Sequence, residues 1–270
     1  MSKPILFFDL ETQPDFARID TFGLSPLTPF VETPADQLPQ PGDFLAKSLD
    51  DMAATDLRPS TQWCEEVRKL EIAAGKKARK GALSVIDKLA DIRTVYEREE
   101  ADRIKLLSVT PEFCSIAAFG WAVEDDEPKS FVVGADGRDE RDILDAFWSL
   151  ASKHTLSGYN IIGFDLPVIF ARSAILRVKP SVKIDTTPWK GAVVDLYVAR
   201  FPKGNFGGKG PGKLKELAAL YGLVTQAEDV DGSHVYKLMQ EGRFDEVSKY
   251  VESDVSLCQQ MHQVFAGLFV

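Results

Sequence analysis

The order of predicted elements indicates an α/β fold, a mixed sheet flanked by helices with a large, mainly helical insertion after the first strand. A short apolar run opens the chain at residues 4–11, and a strand hairpin follows only at residues 113–133. Strand and helix patterns then alternate towards the C-terminus. The intervening segment of about 100 residues far exceeds an ordinary loop. We therefore interpret residues 12–108 as an insertion or subdomain within a single domain of residues 1–270.

The first strand is predicted at residues 4–11 because this run is short, apolar and rich in aromatic side chains. Residues 12–61 are rich in proline, which predicts an irregular surface segment. Residues 62–107 are densely charged, and apolar side chains recur at helical spacing, as at Leu83 and Ile86. The insertion is therefore predicted to be irregular in its first half and helical in its second.

The second part of the chain alternates between strand and helix patterns. Two apolar runs flank the acidic turn at residues 124–128, which predicts a hairpin. Pro167 is compatible with the first turn of a helix. The predicted strands cover residues 113–123, 129–133, 156–159 and 193–196, and the predicted helices cover residues 138–152, 165–177, 213–222, 235–241 and 243–267.

Composition narrows the class of protein. No run of about 18 apolar residues is present, so no membrane-spanning helix is expected, and the N-terminal residues do not have the pattern of a secretory signal. Cys64, Cys114 and Cys258 are far apart and fit neither a disulfide framework nor a zinc motif, which predicts a reduced, cytoplasmic setting. The net charge of −9 argues against strong nonspecific duplex binding. It is compatible with a nucleic-acid enzyme whose carboxylates bind cations.

Four carboxylates at three separated places form the main functional signal. Asp9 and Glu11 end the first apolar run, Asp165 opens a predicted helix, and Asp254 follows Tyr250 by four residues in the C-terminal helix. Buried carboxylates are costly unless a cation compensates them. Clustered carboxylate oxygens are the natural ligands of hard divalent ions. The pattern therefore predicts a site for Mg²⁺ or Mn²⁺.

The spacing of these residues suits hydrolysis assisted by two metal ions. Strand alternation places Asp9 and Glu11 on one face, roughly 6–7 Å apart along the strand, a separation suited to bracketing two ions about 3.5–4 Å apart. Tyr250 and Asp254 share a helix face. A free tyrosine has a pKa of about 10 and is a poor base at neutral pH. We therefore predict that Tyr250 donates a hydrogen bond that orients the water molecule that attacks the scissile phosphate.

Three segments resemble the motifs of the DEDD (DnaQ-like) superfamily of 3′–5′ exonucleases, namely Phe8–Thr12, Tyr159–Asp165 and Tyr250–Asp254. The spacing of the last pair resembles the tyrosine-type subgroup, because Lys249 stands where the histidine-type subgroup has its histidine. Residues 191–196, 213–217 and 241–243 are similar to the proofreading domain of family B DNA polymerases. The resemblance covers residues 4–11 and roughly 110–270, and it leaves residues 12–108 unmatched.

The resemblance implies a ribonuclease H-like fold and stepwise release of nucleoside monophosphates from a 3′ end. Our leading hypothesis is a metal-dependent 3′–5′ exonuclease that acts on single-stranded or frayed DNA. The resemblance also implies two divalent ions, Mg²⁺ or Mn²⁺, as cofactors. The implied metal ligands are Asp9, Glu11, Asp165 and Asp254, and the implied catalytic tyrosine is Tyr250. The residues predicted to contact substrate are Thr12, Asn160 and Phe164.

Several alternatives stay open on sequence alone. An exoribonuclease on the same scaffold would carry the same motifs, since discrimination of the 2′-hydroxyl depends on details of the site. A catalytically silent nucleic-acid-binding module is a third interpretation, which the intact acidic motifs disfavour. Residues 12–108 could clamp the substrate, recruit a polymerase or cover the domain, with replication or repair proteins as candidate partners.

Two further features receive a structural interpretation. Asp195 ends an apolar strand and is predicted to pair with a lysine or a backbone amide, so we exclude it from the metal ligands. Residues 207–214 match Gly-x₄-Gly-Lys, but Leu214 replaces the serine or threonine that a P-loop needs, and Pro211 lacks an amide hydrogen. ATP binding is therefore not predicted. The loop lysines either touch substrate phosphates or are solvated.

Overall fold

A computed structural model describes residues 3–21, 31–45, 59–75, 98–187, 193–199, 212–223 and 232–266. The chain separates into two compact units, one formed by Met1–Leu24 together with Lys105–Val270 and the other by Ser25–Ile104. The candidate residues of the sequence analysis all lie in the first unit. That residues 12–108 form an insertion within a single domain stays a prediction.

The first unit is built on a five-stranded mixed sheet with the order β3-β2-β1-β4-β5. The central strand β1 runs antiparallel to β2 and parallel to β4. Farther out, β2 and β3 are antiparallel, and β4 and β5 are parallel. Within the described residues β3 and β5 are the outer strands. The strands are β1 (Ile5–Pro14), β2 (Cys114–Val123), β3 (Lys129–Val132), β4 (Thr155–Gly158) and β5 (Val193–Asp195).

Helices flank this sheet, and further helices lie in the second unit. None of the described helices has the combination of length and apolar character needed to cross a bilayer. In chain order the helices are α1 (Phe16–Thr21), α2 (Pro41–Leu45), α3 (Thr61–Ala74), α4 (98–108), α5 (Glu140–Ala151), α6 (Asp165–Leu176), α7 (Leu196–Ala199), α8 (Leu214–Leu220), α9 (Gly232–Gln240) and α10 (Phe244–Ala266).

Strand alternation divides β1 between two hydrophobic clusters. Leu6, Phe8 and Leu10 pack with buried side chains of α5 and α6 on one face of the sheet. Phe7 packs on the opposite face with side chains of α10. Because successive side chains of a strand point to opposite faces, Asp9 and Glu11 share the face of Phe7. The C-terminal helix therefore covers the part of β1 that carries both carboxylates.

A glycine allows α10 to approach the sheet closely at this point. Gly120 of β2 lies directly across from Asp9 in the β1–β2 pairing. A Cβ atom at Gly120 would lie 2.8 Å from Cγ2 of Val251 and 3.0 Å from Cγ2 of Val255. Contacts this short require α10 or the sheet to shift. The missing side chain therefore sets the depth at which α10 sits over Asp9.

A buried ion cluster joins α6, α5 and the end of β1. Arg172 of α6 is 4% exposed. Its Nε and Nη2 donate to the carboxylate of Glu140 at 2.7 and 2.6 Å, and its Nη1 donates to Asp15 Oδ2 at 2.9 Å. Glu140 also accepts the N–H of Ile116 at 2.8 Å. Every nitrogen of this guanidinium therefore has a carboxylate partner, as a buried charge requires.

The predicted fold class is confirmed, with an α/β, ribonuclease H-like mixed sheet flanked by helices. The prediction that residues 12–61 begin an irregular segment is wrong at its start. β1 continues to Pro14, because Thr12, Gln13 and Pro14 pair with β2 after a register shift that follows Glu11. A proline is tolerated at a strand end, where its missing N–H breaks no internal pairing. The periodic segment around Leu83 lies outside the described residues.

Candidate active site

Three of the four predicted metal ligands converge on the α10 face of β1. Asp9, Glu11 and Asp254 each offer a carboxylate oxygen, and these three atoms all lie within 4.8 Å of one another. Glu11 is 8% exposed and Asp254 is 7% exposed, while Asp9 is half-buried. Such a concentration of buried negative charge is unfavourable unless protons or cations compensate it.

Asp165 lies near Asp9 but is not one of the three carboxylates that converge within 4.8 Å. It is the first residue of α6 and is 2% exposed. Its Oδ1 accepts the N–H of Leu10 at 2.9 Å, and Leu10 stands between Asp9 and Glu11 in β1. This hydrogen bond fixes the start of α6 against the strand that carries the other ligands. The charge of Asp165 also raises the pKa of Asp9, which places the two groups within electrostatic reach.

The ionisation of the cluster reflects its burial. Burial raises the pKa of Asp9 well above its usual value, and the charges of Asp165, Glu11 and Asp254 add to this rise. Burial also raises the pKa of Asp165 to about 7, against the opposing effect of the Leu10 amide. It raises the pKa of Asp254 to about 6. The cluster therefore favours a state in which some of its charge is neutralised.

Tyr250 lies one helical turn before Asp254 and is 6% exposed. Its hydroxyl offsets part of the rise that burial causes in the pKa of the Asp254 carboxyl. Burial raises the pKa of Tyr250 far above its usual value, and the charges of Glu11, Asp254 and Asp9 raise it further. The hydroxyl is therefore protonated at neutral pH and acts as a hydrogen-bond donor. A hydroxyl that keeps its proton is a poor base, and the orienting role of Tyr250 stays a prediction.

Lys215 is a cation at the site that the sequence analysis did not identify. Its Nζ lies 4.3 Å from the centroid of the Tyr250 ring. Its charge lowers the pKa of both Asp9 and Asp254, which offsets part of the rise caused by burial. The segment of residues 213–217 was matched as a resemblance, but nothing in its local pattern distinguishes Lys215 from the neighbouring Lys213. Only the packing of α8 against α10 reveals the difference.

A glycine also borders the site. Gly232 begins α9, and a Cβ atom placed on it would lie 3.6 Å from Oε2 of Glu11 and 3.9 Å from the hydroxyl of Tyr250. Ordinary van der Waals contacts have this length. The backbone at the start of α9 therefore forms part of the wall of the site, and no signal in the sequence pointed to it.

The three residues predicted to contact substrate occupy different environments. The Thr12 hydroxyl donates to the carbonyl of Ser108 at 2.6 Å, so its proton is directed away from a ligand. Asn160 has a left-handed backbone with φ of 59° and is half-buried. Phe164 is partly buried against the cluster that contains Phe8. Their contact with substrate stays a prediction.

Asp195 has the structural role that its strand-end position suggested. It is 4% exposed, and its carboxylate accepts backbone N–H groups at 2.9 to 3.3 Å. The donors are Asn160, Ile162, Tyr197 and Val198. Asp195 thereby ties the end of β5 to the turn that precedes α6. Most of the glycine- and lysine-rich loop, residues 203–211, lies outside the described residues.

The residues present fit a hard divalent cation. The donor set consists of carboxylate oxygens, which Mg²⁺ and Mn²⁺ prefer. Oδ1 of Asp254 is buried and has no hydrogen-bond partner in the described part of the chain. A buried carboxylate oxygen without a partner is costly unless it faces a cation. Asp9, Glu11 and Asp254 therefore form a candidate metal centre, with Asp165 adjacent.

Two solved structures similar to this chain are DNA-processing enzymes. The family B DNA polymerase of the hyperthermophilic archaeon Pyrobaculum calidifontis is 21% identical, with a TM-score of 0.48, over 58% of this chain and 22% of that chain. E. coli exonuclease I, in complex with a dT13 oligonucleotide, is 18% identical with a TM-score of 0.37, over 60% of this chain and 40% of that chain. This chain thus spans well under half of the length of either.

A match to a family places the chain. No protein of curated function is similar enough to count as a match. The profile of a family described as predicted 3′–5′ exonucleases related to the exonuclease domain of PolB matches residues 109–259. This range contains β2 to β5, Asp165, Tyr250 and Asp254. Because the match covers more than half of the sequence, the chain belongs to the family of predicted 3′–5′ exonucleases related to the exonuclease domain of PolB.

Proposed function

We propose that this protein is a metal-dependent 3′–5′ exonuclease that releases nucleoside monophosphates from the 3′ end of single-stranded or frayed DNA. The observation that carries the proposal is the convergence of carboxylate oxygens from Asp9, Glu11 and Asp254 within 4.8 Å. Asp165 lies next to them on the start of α6. Membership of a family of predicted 3′–5′ exonucleases supports the direction of cleavage.

The four carboxylates would hold two divalent ions, Mg²⁺ or Mn²⁺. Bound ions of this kind lower the pKa of a water ligand and stabilise charge on the leaving oxygen. Asp9 and Glu11 come from a central strand, whereas Asp165 and Asp254 come from two helices. The ligands therefore depend on the packing of three elements, and a rigid sheet holds two of them in place.

The remaining groups at the site complement these ligands. Burial keeps the Tyr250 hydroxyl protonated at neutral pH, and this hydroxyl would orient the attacking water by donating a hydrogen bond to it. Lys215 contributes positive charge close to Asp9 and Asp254. That charge would favour the approach of a phosphodiester to an otherwise anionic recess.

The burial of the ligands supports a free strand end as substrate. Glu11, Asp165 and Asp254 are each less than a tenth exposed, so the scissile phosphate must enter a recess. A single strand or a frayed end can follow such a recess, whereas an intact duplex is wide and stiff. Thr12, Asn160 and Phe164 are the residues we propose for the groove that leads to it.

A cleavage assay tests the proposal. Purified protein with Mg²⁺ or Mn²⁺ should shorten a 5′-labelled single-stranded oligonucleotide to a ladder, and EDTA should stop the reaction. Asp254→Asn should abolish the ladder. Asp245→Asn is the matched control, because Asp245 lies on the same helix but is exposed, and this variant should retain activity. A 3′-phosphate should slow degradation. Cleavage of a circular single strand would contradict the exonuclease assignment.

The preference for DNA is tested with matched substrates. DNA and RNA oligonucleotides of the same sequence are degraded side by side under the same metal conditions. Faster degradation of DNA is the expected result. A clear preference for RNA would assign the same site to an exoribonuclease, because a protein distinguishes the two polymers at the 2′-hydroxyl.

A further inference from the structure

We propose that Arg172 is a positioning residue. Through its contact with Asp15, it holds Asp165 at the distance from Asp9 and Glu11 that metal binding requires. This inference rests on the metal centre of the proposed function. The guanidinium of Arg172 contacts Asp15 and Glu140, which are not among the predicted metal ligands. It acts through the placement of α6, the helix that begins with Asp165.

The first step of the argument is that α6 is attached to the chain of β1 at two points. At its N-terminus Asp165 accepts the N–H of Leu10. Farther along the helix Arg172 donates to Asp15, one residue after the end of β1. Asp165 and Arg172 are seven residues apart, which is about two turns or 10 Å, so both project from the same face of α6. Two attachments at different positions along the helix restrain both its sliding and its rotation relative to β1.

The second step is that the two carboxylate partners of Arg172 connect α6 to different parts of the fold. Arg172 makes two hydrogen bonds to Glu140, and Glu140 accepts a third from Ile116. That arm fixes α6 to α5 and to β2. The single hydrogen bond to Asp15 is the arm that reaches the chain of β1. The Glu140 arm therefore carries more of the contacts and reaches β1 only through β2, while the Asp15 arm links α6 directly to the chain segment that carries Asp9 and Glu11.

The third step is that ligand geometry controls metal affinity. Groups that orient metal ligands from outside the ligand set typically change affinity or activity 10- to 100-fold when removed. Arginine suits such a role because its planar fork holds two carboxylates in fixed directions. The burial of Arg172 also protects both contacts from solvent and salt.

The test compares two variants. One should weaken Mn²⁺ binding more, and the other should lower the thermal midpoint more. Asp15→Ser removes the arm to β1, while serine can still cap α1 as Asp15 does through the N–H of Arg18. Glu140→Gln weakens the arm to α5. Mn²⁺ affinity is measured by calorimetry, thermal midpoints are measured in EDTA, and kcat and KM are measured on the same preparations.

Asp15→Ser should weaken Mn²⁺ binding by about 10-fold or more and lower kcat with little change in KM. Glu140→Gln should lower the thermal midpoint more than Asp15→Ser and weaken Mn²⁺ binding less. Arg172→Lys should lower affinity, because an ammonium cannot contact both carboxylates as the guanidinium does. Arg243→Lys is the matched control, since Arg243 makes a similar forked contact at the exposed surface, and its Mn²⁺ affinity should equal that of the unmodified protein.

If Mn²⁺ affinity instead follows the order of thermal destabilisation, with Glu140→Gln the weaker binder, Arg172 has only a structural role and the inference is overturned. Unchanged Mn²⁺ affinity in Asp15→Ser overturns it as well. Failure of the proposed function would look different. Unmodified protein that binds Mn²⁺ but degrades no oligonucleotide would contradict the nuclease assignment and leave the comparison of affinities valid.

Discussion

Tyr250 and Asp254 stand one turn apart on α10, and each affects the ionisation of the other. Burial raises the pKa of both groups; in addition, the tyrosine hydroxyl lowers the pKa of Asp254 and the carboxylate raises the pKa of Tyr250. Tyr250 therefore keeps its proton at neutral pH, whereas Asp254 loses its proton more easily and can bind a cation. Their spacing was readable from the sequence, because residues four apart on a helix share a face.

The first prediction at this scale concerns the Tyr250 hydroxyl. Tyr250→Phe should lower kcat by about 10²-fold, the typical effect of removing one oriented hydrogen-bond donor. Mn²⁺ affinity should change little, because the four carboxylates remain. Steady-state rates and calorimetry measure the two effects. Tyr221→Phe, at an exposed tyrosine, serves as the control and should behave like the unmodified protein. Equal rates for Tyr250→Phe and Tyr221→Phe would show that the Tyr250 hydroxyl has no role in the reaction.

Lys215 carries a second prediction. Its charge lowers the pKa of Asp9 and Asp254, so Lys215→Met should raise both pKa values further. The acid limb of the rate profile should then move to higher pH, because the ligands ionise only at lower proton concentration. Lys237→Met, at an exposed position of α9, is the control. A profile that does not move would show that Lys215 has no electrostatic influence on the reaction.

At the scale of elements, local sequence patterns were sufficient to predict most of the strands and helices that carry the site. Alternation along β1 predicted that Asp9 and Glu11 share a face, and periodicity predicted the helix of Asp254. The contacts of Arg172 and Lys215 were not predictable, because they join residues far apart in the chain. Arg172 meets Asp15 across 157 positions. Pattern analysis reports which face a residue occupies, but it does not report which element packs against that face.

Gly120 provides the prediction for packing between elements. Gly120→Ala places a methyl group 2.8 Å from Val251, so α10 must move away from the sheet opposite Asp9. We expect a loss of about 1–3 kcal/mol in the free energy of unfolding, the usual cost of overpacking. Nuclease activity should fall as well, because Tyr250 and Asp254 move with the helix.

Urea denaturation and the cleavage assay measure the two effects of Gly120→Ala. Gly42→Ala is the control, because a Cβ atom there meets no atom within 4 Å and the backbone φ is negative. The control should be at least as stable as the unmodified protein, because alanine is a better helix former than glycine within α2. If Gly120→Ala also unfolds normally, the close approach of α10 to β2 is not constrained as described.

At the scale of the whole molecule, the site should cost stability when no metal is bound. Burial raises the pKa of Asp165 to about 7 and that of Asp254 to about 6, from an ordinary value of 3.8. A carboxyl group with a raised pKa binds its proton more tightly in the folded state. Its favourable contribution is complete below the ordinary pKa and is lost as the pH rises through the folded-state value.

The metal-free protein should therefore unfold at a higher temperature near pH 5 than near pH 8. Saturating Mn²⁺ at the higher pH should restore the lost stability, since binding to the folded state alone stabilises it. Thermal melts in EDTA and in Mn²⁺ measure both effects. Asp165→Asn should reduce the pH dependence in EDTA. A midpoint that rises steadily with pH in EDTA would contradict the buried, proton-binding character of the cluster.

The sequence predicted the fold class and the residues of the acidic cluster better than it predicted how the site is supported. The hydrophobic periodicity and the three acidic motifs are local patterns, so they can be recognised in one sequence without knowledge of the fold. The extension of β1 to Pro14 and the four amides on Asp195 depend on backbone partners that appear only after folding. Gly120 and Gly232 matter for the side chain that they lack, and a lone glycine does not indicate what approaches it.

The sheet of the first unit ends, within the described residues, in strands of only four and three residues. Each offers few unpaired backbone groups, so another chain would gain little by adding a strand at either border. Intermolecular sheet growth, a common route to insoluble aggregates, is thereby disfavoured at both borders.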